Sequence, residues 1–381
     1  MGAMGDRNSP GRRTSPAPSP PSAAPKSQSP AASPPAEEAE TSTAPAGILP
    51  AEYWIQQGLE ESHNDNDSTF EDTVSSTASL SESILQYRTL HGRTYHSDKV
   101  TDNQYWTPND EKQKESMDII HHMIMLVLDG RLFRAPLRDD IQKVIDVGTG
   151  TGMWAIDFAD QFPTADVTGT DISPIQPSWV PPNLRFEIDD ATKEWTYPAN
   201  TFDFIHSRYM FGSIGDWAGF YREAYRCCKP GGWVESFEPS AVMESDDGSL
   251  YERSPMDQWG KVFVEAGRKL GRPFDVPQQD LQRKGMEEAG FVNVDIWDFK
   301  CPLSGWPKDR KLNEIGMYSQ LAIEQDIEGY VLFMWGQVMG WSSEQIGVYI
   351  AHFRRQLRDY NVHAYVRMRS VFAQKPYTDA R

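Results

Sequence analysis

The chain has 381 residues, 55 acidic against 37 basic side chains, and a net charge of −18. At about 150 residues per domain, that length predicts two or three units, and so acidic a surface repels phosphate backbones, which argues against direct nucleic-acid binding. Cys227 and Cys228 are adjacent and Cys301 is distant, so the cysteines make neither a disulfide framework nor a CxxC zinc site, and a reducing compartment is expected. No apolar run reaches the ~20 residues of a membrane helix, and the N-terminus has no secretory apolar region.

Residues 1–50 hold eleven of the 27 prolines, mixed with Ser and Ala. Such a composition cannot offset chain entropy by burial, so a disordered tail is expected. Its Ser-Pro pairs at Ser9, Ser15, Ser19, Ser29 and Ser33 are either proline-directed phosphorylation sites or merely solubilising. Residues 51–85 carry eight acids and no Lys or Arg, a solvated linker with at most a short helix from Tyr53 to Leu59. The whole 1–85 stretch is thus expected to lie outside the fold and to be dispensable.

Folding is expected to begin near Gln86. Thr107-Pro108-Asn109-Asp110 predicts a helix start with Thr107 as cap, and Met117, Ile120, Met123, Ile124, Val127 and Leu128 form its apolar stripe up to Gly130. His121 and His122 lie on this helix, as packing residues or as a base. Residues 86–140 therefore predict a helical extension, a lid if its aromatics Tyr95 and Tyr105 fold over a ligand, or a fixed layer if they pack against the sheet.

From residue 141 strands and helices alternate. Strands are predicted at Ile141–Val147, Val167–Thr170, Leu184–Ile188, Phe202–Ile205 and Trp233–Phe237, with helices at Trp154–Gln161 and from Asp216 to Cys228. The βαβα rhythm predicts an α/β fold, a mainly parallel Rossmann-like sheet with ligands at the C-terminal strand ends. A helix over Pro277–Ala289 and strands at Phe291–Phe299 and His363–Phe372 complete it, the last pair antiparallel. Between them a helical insertion at about 305–360, with Met317, Tyr318, Phe333, Met334, Trp335 and Trp341, is expected as core filler or as cover for the substrate side.

The first strand ends in Gly148-Thr149-Gly150-Thr151-Gly152. A Gly-rich turn lets the backbone approach a ligand, and here the third Gly comes one residue earlier than in the G-x-G-x-x-G of nicotinamide enzymes, which favours a ligand without a pyrophosphate. Asp171, closing the second strand, is placed for two ribose hydroxyls. Asp190-Ala191 offers a carboxylate and an N–H to an adenine edge, or is an ordinary acidic turn.

Val144–Gly152, Gly169-Thr170-Asp171, Phe202-Asp203-Phe204-Ile205 and Lys229-Pro230-Gly231-Gly232-Trp233, in that order and spacing, resemble the motifs of class I S-adenosylmethionine-dependent methyltransferases. A narrower set resembles the fungal LaeA-like methyltransferases: Gly92-Arg93-Thr94-Tyr95, Tyr105–Glu111, His121-His122, Ala135-Pro136, Ser173–Pro177, Gly212–Trp217 and Trp306-Pro307-Lys308-Asp309. The resemblance implies a methyltransferase domain over 141–381 that uses S-adenosylmethionine, with effects on secondary metabolism or development. It also implies association with velvet-type regulators or another LaeA-like protein, and a nuclear or cytoplasmic location. Asp146, Gly148, Thr149, Gly150 and Gly152 would surround the methionine part, Asp171 with Ile172 the ribose, and Asp190 with Ala191 the adenine. His206, expected just past the fourth strand, would flank the methyl group, with Tyr95 and Tyr105 covering the cofactor. His206 and Glu238 are the candidate bases, beside His121 and His122; Glu238 at a strand end is otherwise a solvated carboxylate. No motif names the acceptor, small molecule or protein. A cofactor-binding regulator with little turnover is the alternative, and a nicotinamide oxidoreductase fits the glycine spacing poorly.

Overall fold

Val144, Ile145 and Val147 are buried on both faces of their strand, the pattern of a central parallel strand, and the sheet is built outward from them. The computed structural model describes residues 47–57, 85–101 and 104–377. In chain order it comprises α1 (Ala51–Gln56), β1 (Arg88–Leu90), β2 (Arg93–Tyr95), α2 (Glu111–Val127), β3 (Lys143–Val147), α3 (Met153–Gln161), β4 (Asp166–Asp171), β5 (Leu184–Ile188) and β6 (Phe202–Arg208). There follow α4 (Trp217–Cys227), β7 (Cys228–Glu244), α5 (Pro255–Leu270), α6 (Val276–Gln279), α7 (Leu281–Ala289), β8 (Val292–Pro302), α8 (Arg310–Gln325), α9 (Ile327–Val331), a π-helical turn at Leu332–Val338, α10 (Ser343–Leu357) and β9 (Tyr365–Gln374).

Seven strands form one sheet in the order β5-β4-β3-β6-β7-β9-β8. Only β9 runs antiparallel, to β7 and β8, as expected. The order reverses at β3, between β4 and β6, so the crevice beyond their C-terminal ends is where a ligand belongs. β3, α3, β4, β5 and α4 fall within two residues of their predicted positions. On one face, β7 and β9 bury Phe237, Met243 and Met368 against Trp259 and Phe263 of α5 and Tyr349 and Phe353 of α10.

Several expectations are corrected. The N-cap of α2 is Asp110, which accepts from Gln113 N at 3.3 Å; Thr107 and Pro108 belong to the extended approach. β1 and β2 form a hairpin, so the segment before the sheet is not purely helical. The turn between them, His91-Gly92, has φ of 50° and 74°, the doubly positive geometry that matches strand twist in two-residue hairpins. β6 and β7 run on past their predicted ends, which places His206 and Glu238 inside strands. The predicted helix over Pro277–Ala289 breaks at Asp280, whose φ is 58°.

The stretch 47–57 is not a solvated linker. Leu49 and Trp54 are buried, Leu49 N donates to Gln258 Oε1 at 2.7 Å, and the Trp54 ring packs edge-on against Tyr349. The polar and acidic composition of this region hid two apolar anchors. The Ser-Pro pairs lie outside the described residues. Among the described residues, no helix is long and apolar enough to cross a membrane.

Candidate functional site

The residues singled out beyond β3 and β4 converge on one cavity of about 240 Å³ at the C-terminal edge of the sheet. Gly148, Thr149, Gly150 and Thr151 form one wall, and Asp171, Ile172, Asp190 and Ala191 continue it. Gly148 and Gly150 have φ of 72° and 59°, a left-handed backbone that costs little without a Cβ. Gly148 N and Thr149 N both donate to Thr170 O, at 2.9 and 2.8 Å, which ties the loop to the end of β4. Gln176 Nε2 donates to Gly150 O at 2.7 Å, so the Ser173–Pro177 motif braces the glycine turn from outside. Gly152, at φ 84°, starts α3 and does not line the cavity; a Cβ there would collide with the Phe186 ring.

Asp171 faces the cavity from the tip of β4. Its carboxylate accepts from Gly150 N and Ser173 N, both at 2.9 Å. Burial pushes its pKa up to about 6 against those bonds. Asp190 accepts from Thr101 Oγ1 at 2.5 Å and from Thr192 N at 2.9 Å, so its carboxylate is held in place where an adenine edge would meet it. These groups fit the adenosine half of S-adenosylmethionine: a carboxylate for the ribose diol, then a carboxylate and the Ala191 N–H further out.

Asp146 lies beneath the loop rather than in the cavity. Its Oδ2 accepts from Thr149 Oγ1 at 2.6 Å, and its Oδ1 lies 2.7 Å from His206 Nδ1. The His206 ring is buried and stacks on Trp154, with centroids 3.7 Å apart and planes 3° off parallel. Burial lowers its pKa. The expectation that His206 flanks the methyl group is therefore corrected: the strand runs past it, and the ring packs on α3. Tyr95 is also corrected. It is 1% exposed, packs near Phe333 and does not line the cavity, because the hairpin carries it into the core; Tyr105 does line the cavity.

Glu238 is neither solvated nor in contact with the cavity. It is fully buried, accepts from Phe211 N at 2.9 Å, and burial pushes its pKa up to about 8. Its effect is to hold the turn after β6, where Tyr209 has φ 58°, a strained value for a bulky residue. Of the helix histidines, His121 bridges Asp157 at 2.9 Å and Arg208 at 2.8 Å, and His122 is exposed beside Tyr318. Neither lines the cavity.

Past the glycine loop the cavity opens into an apolar chamber. Trp106, Phe211, Trp259, Phe263 and Tyr330 line it, with Met123, Met243 and Met368. The Trp106 ring meets Phe211, Phe263 and Phe274 edge-on at 5.2–5.7 Å. The helical insertion contributes Ser319, Ala322, Ile323 and Tyr330. None of the six insertion aromatics and methionines named from the sequence lines the cavity; Phe333, Met334 and Trp335 are core. Trp259 and Phe263 escaped the sequence reading because α5 carries no motif. Tyr209 had no sequence signal, since nothing in the composition marks a left-handed tyrosine.

A methyltransferase domain model matches residues 119–296. Methyltransferase pytC of Aspergillus terreus is 39% identical over 314 residues, 82% of this chain and 95% of its own length. Secondary metabolism regulator LAE1 of Cochliobolus heterostrophus is 31% identical over 75% of this chain and 94% of its own. Secondary metabolism regulator laeA of Aspergillus fumigatus is 31% identical over 80% and 81%. The chain belongs to the LaeA-like methyltransferases. It is an S-adenosylmethionine-dependent methyltransferase, and the residues that line the cavity fit that cofactor. Bound there, the cofactor supplies a methyl group already activated by its sulfonium. What the methyltransferase itself would contribute is position: Asp171 and Asp190 would hold the adenosine half, and Asp146 holds the glycine loop through Thr149.

Proposed function

We propose that the methyltransferase acts on a small, largely apolar acceptor held in the aromatic chamber, in secondary metabolism. The observation that carries this reading is the chamber's lining: aromatic and Met side chains continuous with the glycine loop, and among the described lining residues no His, Lys, Glu or Cys. A protein tail rich in charge would find few partners along those rings, whereas a flat apolar molecule matches Trp106, Trp259 and Phe263. The names of the regulator relatives support the metabolic setting.

The lining also bears on the chemistry. Burial pushes Tyr105 up to about 12 and raises Tyr209 and Tyr330, so their hydroxyls hold their protons at neutral pH. The acceptor atom is therefore one that is nucleophilic without a strong base, such as a phenolate, an enolate or an amine lone pair. Arg208, which lines the cavity and whose charge is disfavoured by burial, favours an anionic oxygen. Positioning alone is worth up to roughly 7–11 kcal/mol in a well-oriented transfer.

The test is to incubate the full chain with methyl-labelled cofactor and fungal culture extract, then separate small molecules from protein. Label in the small-molecule fraction, lost in Trp259→Ala, is expected. Label confined to protein would overturn the reading, and no label in either fraction would favour a binder without turnover.

A further inference from the structure

Asn109 and Gln113 stand out among the polar side chains that line the cavity. Asn109 is 7% exposed and Gln113 2%. Neither Asn109 Nδ2 nor Asn109 Oδ1 has a hydrogen-bond partner, and neither does Gln113 Oε1. Native structures pair most buried polar side-chain atoms, because an unpaired one forfeits its hydration. Unpaired polar atoms on residues that line a cavity point to a ligand there.

The backbone around them is rigid. Asn109 N donates to Thr94 O at 2.8 Å. The next residue, Asp110, caps α2 and takes two hydrogen bonds from Arg93, at 2.5 and 2.7 Å. The backbone that carries the amide is thus held in place before any ligand arrives.

Their position along the cavity tells which part of the ligand they meet. Asp190 and Asp171 mark the adenosine half. Beyond them comes the Gly148–Gly150 backbone, and α2 lies directly over it: the Met117 methyl would sit 3.3 Å from a Cβ placed on Gly150. Gln113 is one turn before Met117 on the same face, about 5–6 Å up the axis, and Asn109 is four positions earlier again. The cofactor continues in the same direction, from ribose through sulfur to its amino-acid end. That end carries an ammonium and a carboxylate together. A neutral amide answers both, N–H to carboxylate and C=O to ammonium, without adding net charge.

We propose that Asn109, assisted by Gln113, binds the methionyl amino-acid end of the cofactor. The inference rests on the reading of the cavity as the cofactor site. It assigns the Tyr105–Glu111 motif a recognition task, where the sequence suggested a helix start with a lid or a fixed aromatic layer before it.

The test uses two ligands on the full chain: S-adenosylhomocysteine, and 5′-methylthioadenosine, which keeps the adenosyl thioether but lacks the amino acid. Titration calorimetry on Asn109→Ala should show S-adenosylhomocysteine weakened about tenfold or more, the loss of one charge-assisted hydrogen bond. Methylthioadenosine should bind as it does to the unsubstituted chain. Unchanged S-adenosylhomocysteine binding would overturn the proposal, and so would equal weakening of both ligands. If thermal melting shows that Asn109→Ala does not fold, Gln113→Leu carries the same comparison. An unsubstituted chain that binds neither ligand would instead overturn the cofactor reading, and this inference with it.

Discussion

Arg93 and Asp326, 233 positions apart, meet as a buried ion pair with two hydrogen bonds of 2.7 Å. The same guanidinium holds Asp110, so one arginine joins the β1–β2 hairpin, the start of α2 and the start of α9, where Asp326 caps Gly329 N. The Asp326 carboxylate is fully buried. Removing Arg93 leaves it unpaired, and breaking such a pair costs about 3–5 kcal/mol. Arg93→Ala is expected to lose that much in urea unfolding and to weaken cofactor binding through the displaced Asn109. A loss below about 1 kcal/mol, the scale of an exposed pair, would show that the triad is not holding these elements together.

Asp171 makes cofactor affinity depend on pH. Burial raises its pKa to about 6, and its ionised form is the better acceptor for ribose hydroxyls. Affinity for S-adenosylhomocysteine should be full above pH 7 and fall as the pH drops through 6. Asp171→Ala should weaken binding more than tenfold, since hydrogen bonds to a charged group are worth about 1.5–3 kcal/mol each. It should also flatten the pH profile. A variant that keeps the wild-type dissociation constant and profile would remove Asp171 from the ribose site.

Glu238 has the opposite consequence, for stability. Its pKa rises from 4.5 unfolded to about 8 folded, so between those values the native state holds a proton that the unfolded chain has released. Its contribution is present below pH 4.5 and is lost as the pH rises through 8. Glu238→Gln keeps an acceptor for Phe211 N and cannot ionise. The variant should gain on the wild type as the pH rises from 5 to 8, by up to ~1.4 kcal/mol per pH unit. Glu235, pushed up to about 7, acts in the same direction in both proteins. Parallel stability curves would contradict the buried, protonated carboxyl.

Leu49 and Trp54 make the N-terminal stretch testable. A chain starting at Gly47 should fold like the whole. One starting at Gln86 loses two buried anchors worth about 3–6 kcal/mol together. Trp54→Ala in the full chain should reproduce most of that loss. Equal melting temperatures for the two truncated chains would return 47–57 to the linker.

The sheet was legible because β3, β4 and β5 each end at or next to a residue type that lines the cavity. Gly148 follows β3, Asp171 closes β4, and Asp190 lies just past β5, so local pattern and function coincide. The antiparallel end of the sheet was legible as the two strands predicted at Phe291–Phe299 and His363–Phe372. What failed was the extent of β6 and β7. Sequence breaks a strand at a polar residue, but His206 finds Asp146 and Trp154, and Glu238 finds Phe211 N, so both stay buried inside strands. The aromatic chamber was legible only in part, because its rings come from Trp106, from α5 and from Tyr330, brought together by packing across more than two hundred positions. Tyr95 and Tyr105 show the limit of spacing arguments. Both precede α2, yet the His91-Gly92 turn sends one into the core and leaves the other at the cavity.

The cofactor and acceptor predictions rest on the cavity between Asp190 and Asn109 holding S-adenosylmethionine. Titration calorimetry of the full chain with S-adenosylhomocysteine and with NAD tests that most directly. The account expects S-adenosylhomocysteine to bind at one site per chain and NAD to give no heat. NAD binding more tightly than S-adenosylhomocysteine would contradict it.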